Sequence, residues 1–135
     1  DQDASLWHEL HRHDLIPEGL RQRSIQMHAE SLEHVQLLFS EAALVIAMRL
    51  HALILAATGG CPTAALSYDP KVKAAAQLAS LPWSDLEGHL NADHLIHQWQ
   101  QTMQSSCDQS QLIQLKSAAN CHQHMLVEEL NKLSA

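Results

Sequence analysis

The sequence predicts an α/β fold with a Rossmann-like parallel sheet, helices on its faces and a helical tail. Two observations predict this class. Short apolar runs that contain Val or Ile alternate with helical patterns, and the joints between them are only a few residues long. Between residues 44 and 81 they form a strand–helix–strand–helix series, and such a unit implies parallel strands with a right-handed crossover. A chain of 135 residues that is 46% hydrophobic is expected to form a single α/β domain over 1–135.

The first third of the chain is predicted to hold two helices. Residues 3–13 carry apolar side chains at helical spacing, and Pro17-Glu18-Gly19 then breaks the helix. Residues 23–28 are a strand candidate. Ser31 is expected to cap a second helix, which carries apolar residues over 32–39.

The middle of the chain holds the βαβ unit. Residues 44–47 form a continuous apolar run, which is typical of a strand covered on both faces. A helix over 49–58 follows at once and stops at Gly59-Gly60. The second strand is predicted over 63–68. Asp69-Pro70 then starts another helix, because it places a carboxylate at the cap and proline at the first helical position.

The rest of the chain is predicted to be helical. The helix that follows Asp69 is expected to run to Leu81 and end at Pro82, and no strand is predicted after Tyr68. Apolar spacing predicts helices over 91–104 and 108–133, which together form a helical tail over about 91–135. A strand before the first helix would fit the alternation. We therefore expect the chain to be a fragment of a longer protein.

Charge and composition exclude several classes of protein. The net charge is −7 and the basic residues are scattered, so no nucleic-acid surface is expected. The three cysteines are widely spaced, which indicates neither a disulfide framework nor a metal pair. The longest apolar stretch, residues 42–57, is shorter than the roughly 20 residues of a membrane span and holds Arg49 and His51. Without a visible signal peptide, the expected location is the cytoplasm, including the inner face of the membrane.

Polar side chains follow the ends of both central strands. In open parallel sheets, ligands bind outside the carboxyl ends of the strands. The first end is Met48-Arg49-Leu50-His51, and the second is Ser67-Tyr68-Asp69-Pro70-Lys71. Each precedes a helix whose first N–H groups favour an anion. We therefore expect Arg49, His51 and Lys71 to converge on a small charged anion, such as a phosphate ester or a carboxylate.

Each of these side chains also has a structural interpretation. An internal acid could pair with Arg49, since an unpaired buried arginine is costly. His51 could be a core histidine, and Lys71 could be solvated. The other histidines include one pair on a shared helix face, His94 and His97, but no third ligand completes a set at zinc-like spacing. No metal site is therefore expected.

Two adjacent motifs resemble the signature of the polysaccharide pyruvyl transferase family. The first lies in residues 43–57 and centres on Arg49-Leu50-His51. The second lies in residues 60–73 and contains Gly-x-Pro followed by Ser-Tyr-Asp-Pro-Lys. The resemblance covers roughly residues 24–82, and the distance between the two motifs makes it specific.

The resemblance implies a two-lobed fold of the glycosyltransferase B type, with this chain as most of the C-terminal lobe. It implies an enzyme that transfers pyruvate from phosphoenolpyruvate to two sugar hydroxyls as a ketal during cell-surface polysaccharide synthesis. No metal or cofactor is needed. The partners implied are a sugar or lipid-linked saccharide acceptor and an N-terminal lobe, without which the fragment could be inactive. The implied catalytic residues are Arg49 and His51, and the implied substrate-binding residues are Arg49, Leu50, His51, Ser67, Tyr68 and Lys71.

The implied roles follow from the side chains. Arg49 would clamp a carboxylate or phosphate through its planar fork, and Lys71 would neutralise phosphate oxygens. His51 would either act as a general acid toward the methylene carbon or hold the phosphate. Two other interpretations stay open: a nucleotide-sugar-binding lobe of a glycosyltransferase or epimerase, and a non-catalytic lobe. Against the former, no acidic residue in the βαβ stretch is well placed for a ribose.

Overall fold

The computed structural model describes residues 2–105 and the single positions 113 and 117. The chain forms two compact units, of which the first ends at Ser31 and the second begins at Leu32. The predicted helix over 108–133 falls almost wholly outside the described residues. In chain order the elements are α1 (Gln2–Arg12), α2 (Glu18–Arg21), α3 (Leu32–Glu41), β1 (Val45–Ala47), α4 (Leu50–Thr58), β2 (Thr63–Ser67), α5 (Pro70–Leu78), β3 (Trp83–Asp85) and α6 (Ala92–Gln104).

The three strands form one parallel sheet in the order β1-β2-β3. In its register Val45 pairs with Thr63, and Ala65 pairs with Trp83. Helices α4 and α5 connect consecutive strands, and they contact each other as well as β2. The predicted α/β class, with a parallel sheet flanked by helices, is thus confirmed.

The two faces of the sheet carry different helices. The side chains that face α4 and α5 form the main core, in which Ala65 of the central strand is 1% exposed. On β3, Trp83 packs against this core, whereas the hydroxyl of Ser84 lies 3.3 Å from Oε1 of Gln98 on α6. Successive residues of a strand point to opposite faces. Helix α6 therefore covers the face opposite α4 and α5. The fully or nearly buried members of the main core are Val45, Ala47, Leu53, Ala56, Cys61, Ala65, Val72 and Ala76.

Local chemistry fixes where the helices begin and end. The side chain of Asp69 caps α5, which begins with Pro70, and the side chain of Asn91 caps α6 by accepting from the backbone N–H of His94 at 3.1 Å. Helix α4 ends at Gly59-Gly60, where Gly60 has φ +80°. That left-handed conformation strains residues with a Cβ, which explains the glycine. These starts and stops lie within one or two residues of the predicted ones, except that α5 ends at Leu78 rather than at Leu81.

Two strand predictions were wrong. The candidate over 23–28 is not a strand, and its apolar side chains stand in solvent, with Ile25 84% and Met27 56% exposed. Conversely, β3 (Trp83–Asp85) was not predicted. Three residues, of which two are polar, carry little strand signal, and pairing with β2 makes them a strand.

The break at Pro17 is also more structured than predicted. Helix α1 ends before it, as expected, but Pro17 then serves as the N-cap of α2. Its carbonyl accepts from the backbone N–H groups of Leu20 and Arg21 at 2.9 and 3.0 Å. A proline just before a helix is compatible with helix formation because its fixed φ suits the first turn.

Candidate functional site

Three strand ends meet at one edge of the sheet, which we call the carboxyl edge. Strand β2 ends at Ser67, which pairs with Asp85 at the end of β3. Strand β1 ends at Ala47, which pairs with Ala65. Continuing that register by two residues brings Arg49 level with Ser67. Neighbouring strands are about 4.8 Å apart, so the two predicted groups of site residues leave the sheet side by side.

The N-terminus of α4 has the features of an anion site. Arg49 is the N-cap residue, with extended backbone angles of −114° and 139°, and no side-chain hydrogen bond caps this end. The N–H groups of Leu50 and His51 have no intrahelical acceptor, since the first such bond runs from Leu53 to the carbonyl of Arg49 at 3.0 Å. The side chains of Arg49 and His51 are both exposed at the same end. The helix dipole, the backbone N–H groups and the guanidinium of Arg49 therefore all favour negative charge at the N-terminus of α4.

The N-terminus of α5 differs from the prediction. Its first residue, Pro70, has no N–H, and the N–H of Lys71 donates to Oδ1 of Asp69 at 2.8 Å. The next two N–H groups, of Val72 and Lys73, point to the carbonyl of Asp69 at 3.0 and 3.3 Å. This helix end is therefore already satisfied by its own cap. Lys71 can add only its exposed ammonium group to the site.

The remaining predicted residues differ in what they can offer a ligand. Ser67 is 4% exposed, and its hydroxyl donates to the carbonyl of Asp69 at 2.9 Å, which braces the turn. Tyr68, in the same turn, is 56% exposed. Leu50 is half-buried against the core, so its backbone N–H rather than its side chain faces the helix end. Ser67 thus shapes the edge, whereas Tyr68 lies in contact with solvent there.

Asp85 adds a carboxylate to the same edge, and sequence reasoning missed it. Its Oδ1 accepts from the backbone N–H of Glu87 at 2.9 Å, and the residue is exposed. By strand alternation it shares a face with Trp83, over whose ring the ammonium of Lys73 lies at 4.5 Å from the centroid. A cavity of about 300 Å³ opens between β3 and the start of α6. The sequence signal that could have revealed Asp85 was the alternation of strands and helices, because a strand is expected after the helix that ends before Pro82.

Residues 4–70 match the family model of the polysaccharide pyruvyl transferases. This stretch is just under half of the chain, and over it the chain is similar to that family. The resemblance inferred from the two motifs is confirmed, and a family of transferases that act on polysaccharides is indicated. Neither the curated proteins nor the solved structures gave a match to the chain.

The match ends within the carboxyl edge, so it includes some of the predicted site residues and leaves out another. Arg49, His51, Ser67 and Tyr68 lie within the matched residues, whereas Lys71 lies one residue beyond them. Within the part of the chain that the structure describes, no group of three or more His, Cys, Asp or Glu side chains could hold a metal ion. Over the same residues, no helix is long and apolar enough to cross a membrane.

Proposed function

We propose that this domain is the donor-binding lobe of a pyruvyl transferase and takes phosphoenolpyruvate at its carboxyl edge. The observation that carries the proposal is the N-terminus of α4. It has no side-chain cap, it bears Arg49 and His51, and it lies inside the stretch that matches the family. A helix end with exposed N–H groups and an adjacent guanidinium is suited to a carboxylate or phosphate.

Two cationic side chains at the strand ends suit a ligand with two anionic groups. Phosphoenolpyruvate carries a carboxylate and a phosphate on a three-carbon unit. Arg49 and Lys71 follow neighbouring parallel strands and lie at the N-termini of α4 and α5. The guanidinium of Arg49 can hold either anion through paired hydrogen bonds, and the ammonium of Lys71 acts on the other as a point charge. The N–H groups of Leu50 and His51 would add hydrogen bonds to the anionic group that Arg49 holds.

The proposed reaction forms two carbon–oxygen bonds at C2 of the donor. The methylene carbon takes a proton and becomes a methyl group, which gives C2 cationic character. Two hydroxyls of one sugar add to C2, the bond from C2 to the phosphate oxygen breaks, and phosphate leaves. Of the two protons that the hydroxyls lose, one balances the proton taken by the methyl group and the other leaves with phosphate.

His51 has two proposed roles in this reaction. It stands on the first turn of α4, exposed, beside the proposed anion. It is suited to protonate the methylene carbon as a general acid, or to hold the phosphate as a hydrogen-bond donor. Neither role needs a cofactor. We propose that the acceptor is a sugar or a lipid-linked saccharide and that the reaction takes place in the cytoplasm. An N-terminal lobe of the same enzyme would take part in it.

Donor binding can be tested on this chain directly. Thermal shift and calorimetric titration with phosphoenolpyruvate should show binding to the wild type, because a ligand of the native state raises the unfolding midpoint. Arg49→Ala should raise the Kd about 10- to 100-fold, since a hydrogen bond to a charged group contributes roughly 1.5–3 kcal/mol. Arg49→Lys should recover only part of this loss, because lysine lacks the planar fork.

Matched controls separate the site from general charge effects. Arg23→Ala removes an exposed arginine and His97→Ala an exposed histidine, neither of which follows a strand end, and neither substitution should change the Kd. In the full-length enzyme, Arg49→Ala and His51→Ala should both abolish ketal formation and phosphate release. Binding of UDP-glucose but not of phosphoenolpyruvate would replace the proposal with the nucleotide-sugar interpretation, and binding of neither would favour a non-catalytic lobe.

A further inference from the structure

The proposed reaction needs a group that accepts a proton from each attacking hydroxyl. A hydroxyl becomes a good nucleophile toward C2 only as its proton is withdrawn, and an imidazole that protonates the methylene carbon cannot take a proton in the same step. Among the described residues, three carboxylates lie at a carboxyl-edge strand end or within two residues of one: Asp69, Asp85 and Glu87. Their surroundings differ in ways that favour Asp85 as the base.

Asp69 and Glu87 are less suited to accept this proton. The Oδ1 atom of Asp69 accepts the N–H of Lys71 at 2.8 Å and caps α5, so a proton on this carboxylate would weaken the cap. Glu87 lies in the turn after β3, where no hydrogen bond to a described residue orients its side chain. A catalytic base has to be held in one orientation while one of its oxygens stays free.

Asp85 combines a fixed orientation with a free oxygen. Its Oδ1 accepts the backbone N–H of Glu87 at 2.9 Å, which orients the carboxylate. Neither a hydrogen bond nor an ion pair with a described residue occupies Oδ2. The ammonium of Lys73, on the first turns of α5, lies instead over the ring of Trp83 at 4.5 Å from its centroid. Because Asp85 is exposed, a hydroxyl of a ligand can reach its free oxygen.

Strand alternation places Asp85 on the face of the sheet from which the proposed donor site is built. Trp83 packs against the main core, on the face of α4 and α5, and Asp85 follows it by two residues. Both helices begin at the carboxyl edge. Asp85 pairs with Ser67, and Arg49 is level with Ser67 on the other side, so two strand spacings, roughly 10 Å, separate the backbones of Asp85 and Arg49. This span leaves room for C2 of the donor and an attacking hydroxyl.

We propose that Asp85 is the general base of the transfer, a catalytic residue that takes the proton of an attacking hydroxyl. The inference rests on the proposed function, because it takes the donor to lie at the neighbouring strand ends. As the hydroxyl oxygen forms its bond to C2, its O–H bond breaks and the proton moves to Oδ2 of Asp85. The carboxyl group then passes this proton to the departing phosphate or to water, which restores the carboxylate for the next hydroxyl.

Kinetics of the full-length enzyme, followed by phosphate release and ketal formation, test this role. Asp85→Asn keeps an oxygen that can accept the N–H of Glu87, but its amide cannot act as a base at neutral pH. The substitution should lower kcat about 100- to 10,000-fold, which is the usual contribution of general acid–base catalysis. The Kd for phosphoenolpyruvate, measured by calorimetry, should stay unchanged because Asp85 does not hold the donor.

Chemical rescue distinguishes a base from a carboxylate that only supports the turn. Asp85→Ala leaves space for a small anion, so added formate should raise the kcat of this variant several-fold. Formamide has a similar size but no basic oxygen and should not raise it. Glu87→Gln and Asp93→Asn remove neighbouring exposed carboxylates and should leave the wild-type kcat unchanged.

The outcomes separate this inference from the proposed function. A wild-type kcat in Asp85→Asn, or a loss of phosphoenolpyruvate binding in that variant, overturns the role as a base and leaves the donor-binding lobe in place. Equal activity of Asp85→Ala with formate and with formamide overturns it as well, because a structural defect does not respond to a replacement base. Absence of ketal formation by the wild type overturns the proposed function, and the role of Asp85 falls with it.

Discussion

Arg49 and Asp69 occupy the same N-cap position in successive helices and have opposite effects there. Both have extended backbone angles, and both follow a strand of the parallel sheet. The carboxylate of Asp69 accepts the N–H of Lys71 and satisfies its helix end. The guanidinium of Arg49 has only donors, so it cannot cap the N–H groups of α4. One helix end is therefore closed and the other stays available to an anion.

The cap at Asp69 should have a measurable effect on stability. Asp69→Ala removes the acceptor of the Lys71 N–H at 2.8 Å, and the free energy of unfolding should fall by about 1 kcal/mol. Urea denaturation followed by circular dichroism measures this change. Asp69→Asn is the matched control, because asparagine caps a helix about as well as aspartate. A loss as large in the asparagine variant as in the alanine variant would show that the cap is not the cause.

At the scale of elements, pairing with a neighbouring strand determines whether a segment becomes a strand where its composition does not. The Arg49 and Lys71 ends of the site could be predicted from sequence, because β1 and β2 are apolar runs followed by helix signals. Asp85 could not, because β3 is a strand only through its pairing with β2. The segment over 23–28 illustrates the converse, since its alternating apolar residues found no partner strand among the described residues. Hydrophobic patterning thus locates strands that are buried and misses those defined by a neighbour.

Two leucines on the neighbouring helices α4 and α5 differ in how far their side chains are buried. Leu53 is 1% exposed in the main core, whereas Leu78 is 53% exposed. Leu53→Ala should lower the free energy of unfolding by about 2–5 kcal/mol, because it leaves a cavity beside the sheet. Leu78→Ala should change it by no more than about 0.5 kcal/mol. Similar losses from both substitutions, measured by chemical denaturation, would contradict this assignment of the core.

At the scale of the whole molecule, the family match and the division into units do not coincide. The match over 4–70 includes residues of both compact units, whose boundary lies between Ser31 and Leu32. It ends at the first residue of α5, before β3 and α6. The cavity at Asp85 therefore lies outside the matched stretch, which is one reason that sequence motifs alone did not point to it. The single domain expected over 1–135 stays a prediction.

The segment that precedes the unit boundary should be the first site of proteolysis within the described residues. Arg23 is exposed in a turn, and residues 24–30 form neither helix nor strand. Arg21 instead lies in α2, where its guanidinium contacts Asp14 at 3.0 Å and Glu18 at 3.5 Å. Brief digestion with trypsin should therefore cleave after Arg23 before it cleaves at Arg49, Lys71 or Lys73, because proteases need accessible, irregular backbone. Mass spectrometry would identify a fragment that begins at Ser24, and Arg23→Gln should remove it. An earlier cut at Lys71 or Lys73 would instead show that α5 opens more readily than this segment, so that the strand ends of the proposed site are less rigid than their hydrogen bonds imply.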